Sequence, residues 1–195
     1  MLLTLLARLR LIPDPQVELL ATIQTMRNQQ AGLRAAVPTV KNPAKRMAGQ
    51  LVGRWVTVFG ADILQPVARR LKGQINELAK AWGQFEALPE ADHNTLAAVM
   101  HPAEALEHTM ALFLRAPSYH PRNLLRSQLT KKVFMLEGLN SDFIDAQGDT
   151  PLAHQWSVLQ FGDYTAYYLA MAYGVDPTPI GTIESFKDEI SEIGS

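Results

Sequence analysis

The amino-acid sequence predicts an α/β fold built from parallel βαβ units. Short β-rich runs alternate along the chain with longer segments whose apolar residues recur at helical spacing, and this alternation is typical of parallel sheets with crossover helices. The chain has 195 residues, 47% of them hydrophobic, which is enough for one domain with its own core.

The first part of the chain is predicted to be a helical arm. Residues 13–15 carry two prolines and precede a segment with apolar residues at helical spacing, and Val37-Pro38-Thr39 interrupts that segment. We therefore divide the chain into an N-terminal helical arm or linker, 1–38, and a domain, 39–195. We expect the arm to be appended to the core of the domain.

The domain opens with a helix and the first βα unit. Asn42-Pro43 is a helix start, with an N-cap residue followed by proline at the first helical position, and this helix extends to about Gly53. Residues 54–60 are predicted to form a mostly buried strand that ends at a glycine turn. A long helix follows from about Asp62, and Gln74 and Glu77 lie away from its apolar face.

The same alternation continues to the end of the chain. Further strands are predicted at 84–88, 109–114 and 142–146. The helices are predicted from Thr95 to about Leu106 with a break at Pro102, from 122 to 136, from 152 to 173, and in a last segment with Ile183, Phe186, Ile190 and Ile193 on one side. Helix 152–173 is apolar over most of its circumference, so we expect it to be buried against a partner as well as its own sheet.

Composition excludes several classes of function. The 18 basic and 19 acidic residues leave a formal net charge of -1, which does not favour binding to nucleic acid or to an anionic membrane. The absence of cysteine excludes disulfides, thiolate nucleophiles and cysteine-based metal sites. No apolar run is long enough to span a membrane, and Arg8 and Arg10 follow the apolar start instead of preceding it as in a signal peptide. We expect a cytoplasmic protein.

Common catalytic motifs are also absent. The sequence has no Walker A motif, no G-x-G-x-x-G after a strand and no G-x-S-x-G elbow. Glu104 and His108 could share a metal, but two ligands without a further pair favour a solvated Glu–His pair. A basic stretch could meet a phosphate, although a solvated helix face is favoured; it comprises Arg122, Arg126, Lys131 and Lys132.

The residues alone single out two candidates. Glu77 lies on a polar helix flank, and Gly73 lies one turn earlier on the same flank. A glycine inside a helix costs about 1 kcal/mol of stability relative to alanine. Close approach of a ligand or of another backbone beside Glu77 would explain why a glycine is present there. His93 lies in a loop after a predicted strand, where parallel sheets bind ligands. The structural alternative for Glu77 is an ordinary surface glutamate, and for the loop of His93 it is helix capping by its neighbours. Lys187, taken from the residues alone, looks like a solvated helix lysine.

Two strings around these candidates resemble a known family. KGQINELAK at 72–80 and LPEADHN at 88–94 are similar to the K-x-Q-x-N-E-x-A-K and L-P-E-x-x-H-N patterns of bifunctional phosphoglucose/phosphomannose isomerases, in the sugar isomerase (SIS) superfamily. Residues 42–45, 163–164 and 173–179 also resemble that family. The resemblance covers nearly the whole chain from about Asn42.

The resemblance implies a fold, an activity and site residues. The family has two SIS domains, each a three-layer sandwich with a central parallel sheet flanked by helices, and this chain resembles the second. By the resemblance, Glu77 matches the catalytic base, His93 the catalytic histidine and Lys187 the catalytic lysine. The implied reaction interconverts glucose 6-phosphate or mannose 6-phosphate with fructose 6-phosphate through a cis-enediol, without a metal or organic cofactor. The family's histidine reaches a neighbouring subunit, which implies a homodimer with a shared active site.

The chain departs from the family in one respect. The family's first SIS domain holds the glycine- and Ser/Thr-rich segments that cradle the sugar phosphate, and these segments are not found here. We therefore expect a catalytic half that relies on a separate first SIS domain. The alternatives are a non-catalytic SIS module that binds or senses a sugar phosphate, and a dimerisation domain without a ligand.

Overall fold

The computed structural model of the chain describes residues 2–193 and is built around a four-stranded parallel sheet. Its strands are β1 (Trp55–Gly60), β2 (Gly83–Ala87), β3 (Thr109–Arg115) and β4 (Asn140–Asp145). Their order across the sheet is β2-β1-β3-β4, and every neighbouring pair is parallel. All four predicted strands are present within one or two residues, so the predicted parallel α/β class is confirmed.

The two central strands carry the core. Residues Met110 to Leu114 of β3 are all buried, as are Val56, Val58 and Phe59 of β1. Such continuous apolar runs are expected where helices cover both faces of a parallel sheet. The aromatic rings of Phe59 and Phe113 stack at 4.6 Å between centroids on one of these faces.

Helices form a layer on each face of the sheet. On one face lie α2 (Gln16–Leu33), α3 (Pro43–Leu51), α4 (Gln65–Ala79) and α7 (Pro151–Tyr173). On the other face lies α6 (Pro121–Leu136), whose Phe134 contacts Phe59 and Phe113. The three-layer arrangement of the predicted fold is therefore present.

Asn42 joins the arm to the domain. Its Oδ1 accepts hydrogen bonds from the backbone N–H groups of Ala44 and Lys45, both at 3.1 Å, and this confirms the predicted N-cap of α3. Its Nδ2 donates to the carbonyl oxygens of Leu33 and Arg34 at the end of α2. One buried side chain thus satisfies backbone groups at the end of one helix and the start of the next.

Helix α7 is only partly covered within its own chain. It packs against α2, α3 and α4, while Trp156, Tyr167 and Met171 stay exposed, so the expected burial against a partner stays a prediction. The arm is correspondingly less separate than the sequence suggests, because Leu33 of α2 belongs to the core and its carbonyl oxygen accepts a hydrogen bond from Tyr168 of α7. The preceding α1 (Leu2–Arg8) has no buried residue.

The helix predicted from Thr95 to about Leu106 with a break at Pro102 is present in part: the break is confirmed, but no regular helix precedes it. The segment contains a 3₁₀ turn at Thr95–Ala97, a non-helical stretch and the short helix α5 (Ala103–Glu107). Pro102 has no N–H to donate and disfavours helical geometry in the residue before it, so the helix begins only after it.

The last helix, α8 (Gly181–Ile193), has its side chains exposed from 181 to 192. Ile183, Phe186 and Ile190 lie on one side of it, as predicted, while the side chain of Ile193 lies outside the described residues. Within residues 2–193, no helix combines the length and apolar character that crossing a membrane requires.

Candidate functional site

The direction of α4 decides where Glu77 lies. The end of β1 touches the start of this helix, because a Cβ built on Gly60 would lie within 3.1 Å of Leu64, Gln65 and Ala68. The start of β2 touches its end, where the Cβ position of Gly83 is 3.5 Å from Ile75. Helix α4 therefore runs from the carboxyl ends of the strands, here called the carboxyl edge, to their amino ends, the amino edge.

Glu77 lies at the amino edge, in the last turn of α4. Its side chain is exposed and lines a cavity of about 250 Å³. The cavity is bounded on one side by Asn76 and Lys80 of the α4 end, and on the other by residues 180–183 at the start of α8. Glu77 thus borders a space large enough for a small ligand, and the final helix forms one wall.

Contacts at the amino edge hold the start of α8 in this place. Helix α7 ends there, with the Tyr173 hydroxyl accepting from the backbone N–H of Gly53 at 2.8 Å. In the connection that follows, the Pro177 carbonyl oxygen accepts from Lys80 Nζ at 3.3 Å, and the same ammonium donates to the Glu77 carbonyl oxygen. The Lys80 side chain therefore ties the end of α4 to the segment that leads into α8.

Asp176 shapes the same connection. Its carboxylate accepts a hydrogen bond from the Thr178 N–H at 2.9 Å, and this bond, helped by the charge of Lys80, holds the pKa of Asp176 below its usual value. The string that resembles the family at 173–179 thus forms a turn that places α8 against Glu77.

Lys187 lies further along α8. It is six residues beyond Gly181, or about 9 Å along the helix axis at 1.5 Å per residue. Its side chain is exposed. The structure therefore places Lys187 on the helix that borders the Glu77 cavity, beyond the turn that lines it.

His93 lies at the other edge of the sheet. It ends a 3₁₀ turn, Glu90–His93, that follows the carboxyl end of β2, and its side chain is exposed. The prediction of a loop after a strand is therefore confirmed for this residue. The Leu88 N–H donates to the Gly60 carbonyl oxygen at 2.9 Å, so the chain leaves β2 still paired with β1.

Glu77 and His93 are separated by the length of the sheet. Strand β2 runs from the amino edge to the carboxyl edge between them, and its five residues span about 16 Å at 3.3 Å each. To act on one small substrate, both groups must come within about 3 Å of atoms of that substrate, directly or through one water. Within one chain, Glu77 therefore lies close to α8, and His93 lies far from both Glu77 and α8.

Two further residues of the matched strings have structural roles that the sequence did not reveal. Gln74 was predicted to lie away from the apolar face, but it is only 8% exposed and its Nε2 donates to Asp163 of α7 at 2.7 Å. Burial raises the pKa of Asp163, and the hydrogen bond from Gln74 and the charge of Arg70 act in the opposite direction. Gln74 and Asp163 therefore join α4 to α7 beneath the site.

Gly73 leaves the flank of Glu77 open. A Cβ at this position would meet Glu77 Oε1 at 3.7 Å, an ordinary van der Waals distance, and no other atom within 4 Å apart from neighbouring helix backbone. Packing within the described chain thus does not require glycine here.

Neither the Glu104–His108 pair nor the basic stretch is among the residues that line the Glu77 cavity. Within the described part of the chain, no three His, Asp or Glu side chains come together as a metal-binding group, and Glu104 and His108 belong to none. Arg126 of the basic stretch pairs with Asp92 at 3.4 Å. Lys131 lies 5.0 Å from the centre of the Phe143 ring.

Comparison with known proteins identifies one family. Residues 40–190 match the family described as the bacterial phospho-glucose isomerase C-terminal SIS domain. This range begins within two residues of the start predicted for the domain and contains Glu77, His93 and Lys187.

Similar proteins point the same way. A bifunctional phosphoglucose/phosphomannose isomerase of Caldicellulosiruptor bescii is 30% identical over 98% of this chain and 57% of its own length. A protein of the same name from Aquifex aeolicus is 30% identical over 82% of this chain and 50% of its own length. The chain thus spans about half the length of these relatives.

Solved structures agree in fold. A glucose-6-phosphate isomerase like protein from Thermus thermophilus superposes with a TM-score of 0.72, covering 90% of this chain and 56% of that one, at 24% identity.

Proposed function

Because the chain belongs to the family of bacterial phospho-glucose isomerase C-terminal SIS domains, we propose that it carries the catalytic-base half of a sugar-phosphate aldose–ketose isomerase. The proposed reaction interconverts glucose 6-phosphate or mannose 6-phosphate with fructose 6-phosphate. The observation that carries the proposal is the exposed Glu77 carboxylate, which lines an amino-edge cavity walled by α8 and lies in the string that matches the family's base.

The residue types suit this chemistry. Glu77 removes the proton from C2 of the open-chain aldose while the C1 oxygen gains a proton, which gives the cis-enediol. The C2 hydroxyl then loses its proton and C1 takes a proton back from Glu77, which gives the ketose. A positioned general base contributes about 10²–10⁴-fold to such a step. His93 assists ring opening and proton transfer at the oxygens, and Lys187 stabilises negative charge that develops on them. The scheme uses no metal or organic cofactor.

We propose that the active unit is a homodimer. The support is geometric: Glu77 lies at the amino edge and His93 at the carboxyl edge of the same sheet, and the strand β2 between them is about 16 Å long. His93 is exposed, so it is free to reach a neighbouring chain. In a symmetric dimer, each site would take Glu77 and Lys187 from one protomer and His93 from the other.

We also propose that a first SIS domain completes the site. The chain spans about half the length of its relatives, and a sugar phosphate needs an anion cradle of backbone N–H groups and hydroxyls. In this proposal, 1–38 is the arm that connects to such a domain and 39–195 is the SIS domain itself. The setting is the cytoplasm, where the substrates of this reaction are found.

The proposal is tested by measuring fructose 6-phosphate isomerisation by this chain alone and with the amino-terminal half of the Aquifex aeolicus relative supplied. We expect activity in the supplemented sample and a loss of at least about 100-fold in Glu77→Gln. Glu104→Gln, an exposed carboxylate on α5, is the matched control and should leave activity unchanged.

Two outcomes would contradict the enzymatic function. One is a supplemented wild type without turnover, and the other is a Glu77→Gln variant as active as the control. Binding of the sugar phosphate without turnover would instead identify a sensing module of the SIS class.

A further inference from the structure

The turn that carries His93 is anchored both before and after this residue, while the His93 side chain itself is exposed. Ala91, two residues before His93, is buried in the core. After it, Asn94 Nδ2 donates to Glu90 Oε1 at 2.9 Å and closes the turn across its base. The imidazole between these contacts faces outward. An exposed histidine on so constrained a backbone is pre-oriented for something outside its own chain.

Asp92 supplies the link from this turn to α6. Its Oδ1 accepts a hydrogen bond from Thr130 Oγ1 at 2.7 Å, and its Oδ2 lies 3.4 Å from Arg126 Nε. Thr130 follows Arg126 by four residues, so both side chains lie on the same face of α6. Each carboxylate oxygen therefore has one partner on a rigid helix.

The Thr130 contact is the stronger of the two. Thr130 is only 3% exposed, and a hydrogen bond to a charged acceptor in such surroundings is shorter and stronger than a neutral one. The side chain of Arg126 is 40% exposed, and solvated ion pairs of this kind contribute little. The hydroxyl thus fixes the carboxylate, and the guanidinium adds a weaker restraint.

We propose that Asp92, held by Thr130 and Arg126, is the positioning residue that fixes His93 for a site on a second copy of this chain. This role rests on the function proposed above. Asp92 does not contact the reacting atoms. It restricts the backbone next to His93, so the imidazole reaches the neighbouring site in one orientation, and orientation of a catalytic group is worth large factors in rate.

Thr130→Val tests the role, because valine keeps the shape of the buried side chain and removes its hydrogen bond. Thr165→Val is the matched control: Thr165 is equally buried in a helix, but its hydroxyl bonds to the carbonyl oxygen of its own helix at Phe161. The first readout is hydrogen exchange of the Asp92 amide, which donates to the Pro89 carbonyl oxygen and needs no substrate to be followed. We expect exchange about tenfold faster in Thr130→Val than in the control.

The second readout is kinetic and uses the supplemented enzyme. We expect Thr130→Val to lower kcat about tenfold with KM unchanged, and to cause no further loss in a His93→Ala background. A merely structural role would lower kcat in both backgrounds, so an equal loss there would overturn the proposal, as would an unchanged exchange rate.

The two proposals fail in different ways. Faster exchange with unchanged kcat would show that the anchor holds the turn without positioning a catalytic group, which overturns the role of Asp92 and leaves the isomerase intact. A wild type without turnover would contradict the isomerase and with it the positioning role of Asp92, while faster exchange would still show that Thr130 holds the turn.

Discussion

Replacing Gly73 with alanine separates the stability of α4 from the use of the space beside Glu77. Glycine inside a helix costs about 1 kcal/mol relative to alanine, mainly through backbone entropy. An added Cβ would meet Glu77 Oε1 at 3.7 Å, so it introduces no clash within the described chain. We therefore expect Gly73→Ala to raise the free energy of unfolding by about 1 kcal/mol, which shifts Tm by about 2–4 °C in a chain of this size.

The same methyl group should reduce activity. It lies one helical turn from Glu77, on the flank that we propose a substrate or a neighbouring chain approaches. We expect kcat/KM to fall while stability rises. Unfolding is followed in urea and by heat, and turnover is followed with the first-half domain supplied.

Gly49→Ala in α3 is the matched control. A Cβ at Gly49 meets nothing within 4 Å, so this variant should gain comparable stability without losing activity. If the control is stabilised and Gly73→Ala is not, the flank of Glu77 is not open as the geometry requires. If Gly73→Ala is stabilised and fully active, the open flank has no functional use.

Three further predictions concern the packing beneath the site. In Gly162→Ala the added Cβ would lie 2.6 Å from Leu71 Cδ1 where α7 crosses α4, and this overpacking costs about 1–3 kcal/mol. The cost offsets the gain of about 1 kcal/mol that alanine brings to a helix, so the variant should be no more stable than wild type in urea unfolding, and a gain like that of Gly73→Ala would refute this close approach. Asn42→Ala should lower the free energy of unfolding by about 1–2 kcal/mol, because it removes the N-cap of α3 and the donors to the end of α2. A smaller change would mean that water replaces these hydrogen bonds. Asp163→Asn should raise Tm near pH 7. Burial raises the pKa of Asp163 in the folded state, so this carboxyl stabilises the fold when protonated and loses that contribution as pH rises through the raised pKa. Asparagine stays uncharged and avoids this loss. The gain should shrink towards pH 4, and a gain independent of pH would contradict the burial of the charge.

Much of the fold follows from local patterns in the sequence. Residues 55–60 form a strand because an apolar β-rich run ends at a glycine turn, and Asn42 caps a helix because its side chain precedes a proline in the first turn. These features depend on a few neighbouring residues. The burial of Gln74 does not, because it is set by Asp163 at a distance of 89 residues along the chain.

The relation between the site residues depends on topology. Glu77 and His93 are close in sequence, because Glu77 precedes β2 and His93 follows it. This closeness by itself suggests a common site. Their separation arises because α4 runs antiparallel to β2, so the end of the helix and the end of the strand lie at opposite edges of the sheet. The anchoring of the His93 turn by Thr130 likewise depends on α6 packing beside that turn, which no local pattern reveals, because Asp92 and Thr130 are 38 residues apart along the chain.

Mixing two impaired variants, each without one catalytic side chain, tests the shared site most directly. Glu77→Gln and His93→Ala chains are each assayed alone with the first-half domain, and then after co-refolding in equal amounts. If each site takes Glu77 from one protomer and His93 from the other, half of the dimers are mixed and each holds one intact site, so about a quarter of wild-type activity should return. Activity that stays at the level of the separate variants would contradict a site shared between two chains.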